Sequence, residues 1–313
     1  MACFLVTGGA GFIGSHIVRQ LLARGDEVRV LDDFSTGKRE NISEIRDQIS
    51  LYEADISDLE AMRPVFDGVD YVLHQAAIPS VPRSVNDPMR SHNANCTGTL
   101  NVLIAARDAG VKRVVQASSS SVYGSNPDLP KVETMRPMPI SPYAATKLTQ
   151  EAYAGAFYAS YGLETLSLRY FNVFGPRQDP TSQYAAVIPI FCTRILAGER
   201  PVVYGDGEQS RDFTYVENVV QANIKAALAD GGAGHAFNIA CGERLSLNQL
   251  LAKLNELLGT GIEPIYEEPR VGDVKHSLAD ISAARDAFGY EPEVGPEEGL
   301  RRTAEFFRAS LAE

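Results

Sequence analysis

The residues with the most chemistry to offer stand in Ser141-Pro142-Tyr143-Ala144-Ala145-Thr146-Lys147. A serine followed by proline suits an N-cap and first helical position, which puts Tyr143 in the first turn of a helix and Lys147 one turn along on the same face. A free phenol has a pKa near 10, so about one in a thousand is ionised at pH 7, and poising it near neutrality takes about 4 kcal/mol of preferential stabilisation of the phenolate. A neighbouring ammonium and a helix N-terminus each act in that direction. Such a phenol is a base for removing the proton of an alcohol. Thirteen tyrosines and seven lysines in 313 residues predict roughly 0.3 YxxxK matches by chance, so the pair means little without its neighbours. One neighbour is Ser118-Ser119-Ser120-Ser121-Val122-Tyr123-Gly124, which leaves a predicted strand where a hydroxyl can bridge Tyr143 to a substrate oxygen. On composition alone that run reads rather as a turn or a cap.

A second group of residues is suited to a dinucleotide. Thr7-Gly8-Gly9-Ala10-Gly11-Phe12-Ile13-Gly14 follows a predicted strand and opens a helix, satisfying GxGxxG from Gly9 and GxxGxxG from Gly8. Absent side chains let the backbone approach a pyrophosphate, whose charge the helix N-terminus favours. Asp32 ends the second predicted strand, 18 residues past Gly14, where a carboxylate accepts both ribose hydroxyls and repels a 2′-phosphate; this favours NAD over NADP. Lys38 and Arg39 follow close behind and read as solvated loop cations. Asp55-Ile56, at the end of the third strand, is placed to meet an adenine or to serve as an ordinary loop acid.

The elements that must position these residues show in the hydropathy pattern. Strand-like runs at Cys3 to Val6, Glu27 to Leu31, Ser50 to Glu53, Tyr71 to His74, Arg113 to Ala117 and Leu166 to Arg169 alternate with helical segments at Phe12 to Arg24, Thr97 to Ala109 and Pro142 to Tyr161. This alternation predicts an α/β fold, a doubly wound parallel sheet of the Rossmann type over residues 1–172. Residues 173–313 are richer in Pro and Gly, with amphipathic helices near Ser246 to Leu258 and Glu297 to Leu311, and read as a smaller α/β domain with some segments returning to the first sheet. The 29 Lys and Arg against 40 Asp and Glu leave a net charge of −11, which repels nucleic acid and anionic membrane alike. No apolar run approaches the roughly 20 residues of a membrane span. The start, Met1 to Val6, lacks a basic leader and reads as a first strand. Cysteines 3, 96, 192 and 241 show no CxxC or Cys/His spacing, which points to reduced thiols in the cytoplasm and to no metal site.

Taken together, the chain resembles the extended short-chain dehydrogenase/reductase family, and within it the nucleotide-sugar 4-epimerases. The resemblance covers essentially the whole length. It rests on Thr7 to Ser15, His74-Gln75-Ala76-Ala77, Asn95-Cys96-Thr97-Gly98-Thr99, Ser118 to Gly124, the Tyr143/Lys147 pair, Arg169-Tyr170-Phe171-Asn172, Arg211-Asp212-Phe213 and Arg270-Val271-Gly272-Asp273. It implies catalytic roles for Ser119, Tyr143 as base, and Lys147 as its electrostatic partner and ligand of the nicotinamide ribose. By the same resemblance Gly8, Gly11, Phe12, Ile13, Gly14, Asp32, Asp33, Ser35, Gly37, Asp55, Ile56, Gln75, Ala76, Ala77, Asn95, Ser118, Tyr143, Lys147 and Tyr170 line an NAD site. Ser120, Asn172, Ala186, Val187, Tyr204, Gln209, Arg211, Arg270, Asp273 and Ser277 would hold the nucleotide sugar. The family habit is a homodimer, through the helices around Thr97 to Ala109 and Pro142 to Tyr161.

Related dehydratases typically carry Thr-Asp-Glu after the catalytic serine, and decarboxylases keep a Glu at the place of Ser121. Here Ser120 and Ser121 bear no ionisable group to move the proton that elimination needs. The resemblance therefore implies a UDP-hexose 4-epimerase, with a uronate epimerase, decarboxylase or dehydratase, or a non-catalytic NAD-bound regulator, as alternatives. Seven residues after Arg270 these enzymes carry a side chain that limits space at the sugar's C2, commonly Tyr where only glucose and galactose are accepted. This chain has Ser277, which leaves room for an N-acetyl group, and the stretches Asp273 to Ile281 and Ser80 to Ser84 look like the N-acetylhexosamine branch. UDP-GlcNAc/UDP-GalNAc and UDP-Glc/UDP-Gal stand as near equals. Arg83 reads more simply as the partner of a surface carboxylate than as a sugar contact.

Overall fold

Five of the first six strands are almost wholly apolar on both faces or alternate about a covered face, as strands buried in a parallel sheet must be. In the computed structural model, which describes residues 1–181, 186–269 and 275–310, they are β1 (Cys3–Thr7), β2 (Glu27–Leu31), β3 (Ser50–Tyr52), β4 (Tyr71–His74), β5 (Arg113–Ser119) and β6 (Glu164–Tyr170). A seventh, Ala236–Ile239, pairs in parallel with β6. Every ladder in this sheet is parallel, and the spatial order is the seventh strand, then β6, β5, β4, β1, β2 and β3. Strand order reverses between β1 and β4, so their carboxyl ends open the crevice where doubly wound folds bind ligands.

Alternation along β1 divides the core in two. Phe4 and Val6 join Ile17 and Leu21 of helix α1 (Phe12–Ala23) and Val216, Val219 and Val220 of the helix Val216–Leu228 on one face. Cys3 and Leu5 join Val102 and Leu103 of the helix Gly98–Asp108, Val114 and Phe157 on the other. The first cluster continues without interruption through Phe174, Ile188 and Phe191 to Leu250, Leu254 and Phe307. These last residues belong to the helices Val187–Leu196, Leu247–Leu258 and Pro296–Ser310, accompanied by two-stranded pairs such as Val202–Tyr204 with Ile265–Glu267.

The predicted boundaries shift by a few residues: β5 and β6 extend to Ser119 and Tyr170, so both strands deliver their last side chains directly to the crevice. The helix Val216–Leu228 and the strand Ala236–Ile239 fall in a stretch whose Pro and Gly punctuation reads as loop, yet both complete the central layers.

Candidate active site

Two cavities open along the carboxyl edge of the sheet. The larger, about 580 Å³, is lined by every cofactor residue named from the sequence except Asn95. The glycines have steric reasons to be there. Gly8 takes a φ of +68°, and a Cβ on it would stand 2.6 Å from the Ala76 backbone nitrogen; a Cβ on Gly14 would stand 2.1 Å from the Gly8 carbonyl oxygen. Gly11 caps α1 without a side-chain hydrogen bond, leaving the first-turn N–H groups turned toward the cavity's anion end.

Asp32 is buried at the end of β2, where its carboxylate accepts the Ala10 and Phe34 N–H groups, both at 2.9 Å. Burial pushes its pKa up and those two hydrogen bonds oppose the rise. The nearby cations are committed elsewhere: Lys38 pairs with Asp179 at 3.3 Å, and Arg39 pairs with Glu53 at 2.7 Å while stacking over Phe34. Both are exposed cations held in surface ion pairs. A ribose with two hydroxyls fits this corner, and a phosphorylated one meets the Asp32 charge.

At the other end of the cavity Tyr143 is the second residue of the helix Pro142–Tyr161, whose N-cap Ser141 accepts the Ala144 N–H at 3.1 Å. The Tyr143 N–H donates to Ser84 Oγ at 2.9 Å, fixing the first turn. Lys147 is buried one turn on; its Nζ donates to the Ala117 carbonyl at 2.7 Å and lies 5.9 Å from the Tyr143 ring centroid. Burial pulls the Lys147 pKa down to about 8, opposed by Cys96 and Glu151. The phenol departs from the sequence expectation: burial pushes its pKa above the ordinary value, and the hydrogen bond from Ser119 is the influence that lowers it. Ser119 itself ends β5, where its Oγ accepts the Ser121 N–H at 3.1 Å, so it is both a cap and the neighbour of Tyr143.

Asn95 alone of the expected cofactor set does not line this cavity. It is fully buried on a π-helical turn, Asn93–Thr97, and reaches not the cavity but the Ile78 N–H (2.8 Å), the Ile78 carbonyl (3.3 Å) and Thr146 Oγ1 (3.0 Å). It therefore supports the cavity wall at Ile78 from behind. Arg83, read from the sequence as a surface charge, lines the cavity. Three contributors were missed. Asn223, from the helix Val216–Leu228, holds Gln75 Nε2 at 2.9 Å and the Tyr170 hydroxyl at 3.1 Å. Glu151 binds Arg169 through both oxygens at 2.9 and 2.7 Å and accepts the Ser118 hydroxyl at 2.5 Å. Arg177 enters from the loop after Gly175-Pro176. Only Glu151 carried a signal, standing four residues beyond Lys147 on the same helical face.

The smaller cavity, about 380 Å³, is lined by Asn172, Ala186, Val187, Tyr204, Gln209 and Arg211 from the expected substrate set, and Ala186 borders both cavities. Arg211 donates to the Ser210 and Lys275 carbonyls. Ser120, on the turn after Ser119, lines neither cavity among the described residues. Ser277 stands behind Asn172: its Oγ accepts Asn172 Nδ2 at 3.1 Å and the Asp212 N–H at 3.3 Å. It is a support as well as a small side chain. Arg270 and Asp273 lie outside the described residues.

Comparison with known proteins agrees with this geometry. Residues 4–240 match the model of the NAD-dependent epimerase/dehydratase family. A solved UDP-N-acetylglucosamine 4-epimerase from Methanobrevibacter ruminantium, in complex with UDP-N-acetylmuramic acid, is 43% identical with a TM-score of 0.94, and the match covers 99% of each chain. A UDP-glucose 4-epimerase from Thermotoga maritima, solved with UDP-glucose, gives the same 43%, 0.94 and 99% of each chain. A UDP-glucose 4-epimerase from Thermus thermophilus in complex with NAD is 39% identical over 98% of this chain and 99% of that one, with a TM-score of 0.90.

Proposed function

The chain belongs to the NAD-dependent epimerase/dehydratase family, and from that premise we propose that it is an NAD-dependent UDP-hexose 4-epimerase interconverting UDP-Glc with UDP-Gal and UDP-GlcNAc with UDP-GalNAc. The observation that carries this reading is the meeting of Tyr143 and Lys147 at one end of a dinucleotide-shaped cavity, with Ser119 at the end of β5 beside them and a second cavity sharing the Ala186 wall. Bound NAD⁺ supplies the hydride acceptor and then the donor at the sugar's C4, together with a positive charge beside the phenol.

The chain's own groups do the rest. Tyr143 takes the 4-hydroxyl proton and returns it, with Ser119 holding the phenol in place. Lys147, fixed on the Ala117 carbonyl, keeps an ammonium beneath the site below pH about 8. Arg211, Gln209 and Asn172 hold the nucleotide end in the second cavity while the 4-keto sugar turns over and presents its opposite face. Ser120 and Ser121 offer no acid or base for elimination, which favours epimerisation over dehydration or decarboxylation. Incubating the purified protein with UDP-Glc, UDP-GlcNAc and UDP-GlcA separately and resolving the products tests the assignment. The first two should each give their C4 epimer; failure of both, or conversion of the uronate alone, contradicts it.

The acetylated pair rests on the small Ser277. Because its hydroxyl also braces Asn172, Ser277→Tyr should lower turnover of both pairs, and of the acetylated pair more. Equal losses would remove Ser277 as the reason for accepting an acetyl group. Assembly as a homodimer through the helices Gly98–Asp108 and Pro142–Tyr161 suits the exposed Tyr158 and Tyr161 on the latter. Sedimentation equilibrium distinguishes this from a monomer. No described helix is long and apolar enough to cross a membrane, and the net charge of −11 disfavours nucleic acid. The cytoplasm, where free thiols persist, suits the four unpaired cysteines.

A further inference from the structure

The cofactor cavity has a wall that the glycine-rich turn does not supply. The segment 175–181 leaves the short strand Val173–Phe174 and lies across the first turns of α1 and the loop after β2. It is tied down along its length. The Pro176 carbonyl accepts His16 Nε2 of α1 at 2.9 Å, Gln178 Nε2 donates back to the Val173 carbonyl at 3.1 Å, and Asp179 pairs with Lys38 at 3.3 Å. At its start, Gly175 approaches Val216 so closely that a Cβ would stand 2.6 Å from the Val216 Cγ1.

Between the Pro176 and Asp179 anchors sits Arg177, held at a φ of +66°, a conformation that residues with a Cβ rarely adopt. It lines the cavity together with Gly11, Phe12 and Ile13. Resting on the cofactor reading above, we propose that Arg177 is a cofactor-binding residue that neutralises the diphosphate of NAD, presented by the strap 175–181.

Charge accounting within the cavity supports it. The glycine-rich turn offers N–H groups but no full positive charge, in a chain whose net charge is −11. Among the other cations lining the cavity, Lys38 is paired with Asp179, Lys147 is bound to the Ala117 carbonyl at the catalytic end, and Arg83 is already engaged. Arg177 makes no hydrogen bond and no ion pair within 4 Å to any described residue. Burial and the neighbouring Arg19 both disfavour its charge, with Glu44 a lesser attraction. A half-buried guanidinium repelled by its surroundings gains most from an anion, and its forked donors match phosphate oxygens. The anion is the diphosphate of NAD and not that of the sugar nucleotide, because Arg177 shares its cavity with the α1 N-terminus, whereas the second cavity has Arg211.

The test compares wild type with Arg177→Gln and Arg177→Lys, as full-length purified protein, by the rate at which bound NAD is released on dilution and by calorimetric titration with UDP. Loss of a charge-assisted hydrogen bond should speed NAD release roughly 10- to 100-fold in Arg177→Gln and by less in Arg177→Lys, while UDP affinity stays within about twofold. A wild-type Tm in thermal unfolding shows that the variants are folded; if Arg177→Gln fails that check, the intermediate release rate of Arg177→Lys decides. Unchanged NAD release, or a parallel loss of UDP affinity, overturns the proposal. A wild-type protein that holds no NAD would instead defeat the cofactor reading itself, so the two failures are distinct.

Discussion

At the scale of single residues, the site turns on a phenol whose surroundings in the protein raise its pKa. Burial acts upward on Tyr143, and only the Ser119 hydrogen bond acts downward among the chain's own groups. Tyr143→Phe removes the proton acceptor while leaving the fold and the NAD wall in place, so kcat should fall by roughly 10²–10⁴ with NAD content unchanged; a variant that keeps its activity would show that another group is the base. His74 sets a pH dependence of a different kind. It is buried between Thr7 Oγ1 at 2.7 Å and Thr99 Oγ1 at 2.9 Å, and burial drags its pKa down to about 3. Folded His74 stays neutral where the unfolded chain, with a pKa near 6.5, binds a proton, so stability falls as pH drops from about 6.5 toward 3. His16, lowered to about 4, acts in the same sense, whereas Asp212, raised to about 6, acts oppositely between about pH 4 and 6. Comparing wild type with His74→Gln cancels the common contributions: the wild type should lose up to about 2 kcal/mol more between pH 6.5 and 5 in urea unfolding. Equal slopes would mean that His74 titrates normally. The catalytic pair, the glycines and Asp32 were legible in the sequence because their spacing is local. Asn223 and Arg177 were not, because their approach to the cavity is made only by the folded chain.

Among the elements, the six early strands were legible because short apolar runs recur between longer helical patterns. The seventh was not: Ala236–Ile239 is four residues long, and what makes it a strand is the open edge of β6. The helix Val216–Leu228 did carry its signal, with Val216, Val219, Val220 and Ile224 on one face, but the Gly and Pro around it read as loop. The π-helical turn Asn93–Thr97 was invisible for a related reason, since the extra residue in the turn exists to aim Asn95 at Ile78. The resemblance implies a cofactor contact at Asn95, and in the fold its side-chain amide holds Ile78 at the cavity wall. Asn95→Ala would leave the buried Ile78 N–H without its acceptor, at a cost of about 1–3 kcal/mol, and should loosen the adjoining wall. Thermal unfolding should show a lower Tm, and NAD affinity should fall while the Tyr143-dependent chemistry in saturating NAD is kept. An unchanged Tm would mean that the turn finds another acceptor.

For the molecule as a whole, one apolar cluster runs from the face of β1 that bears Phe4 and Val6 through to the terminal helix at Phe307, so the two cavities are walls of a continuous solid body. That continuity matters to the proposed reaction, in which nothing enters or leaves between oxidation and reduction of the sugar except a change of its orientation. In the proposed reaction the strap 175–181, tied to His16 and Lys38, would hold one nucleotide end and Asn172, braced by Ser277, the other. The sequence announces most of the residues that line each cavity but not that Ala186 borders both, which only the folded chain shows. The central claim is that hydrogen leaves C4 and returns to the same carbon within one enclosed site. UDP-glucose deuterated at C4, converted in ordinary water, should yield UDP-galactose that keeps its deuterium at C4; product carrying solvent hydrogen there would contradict the account.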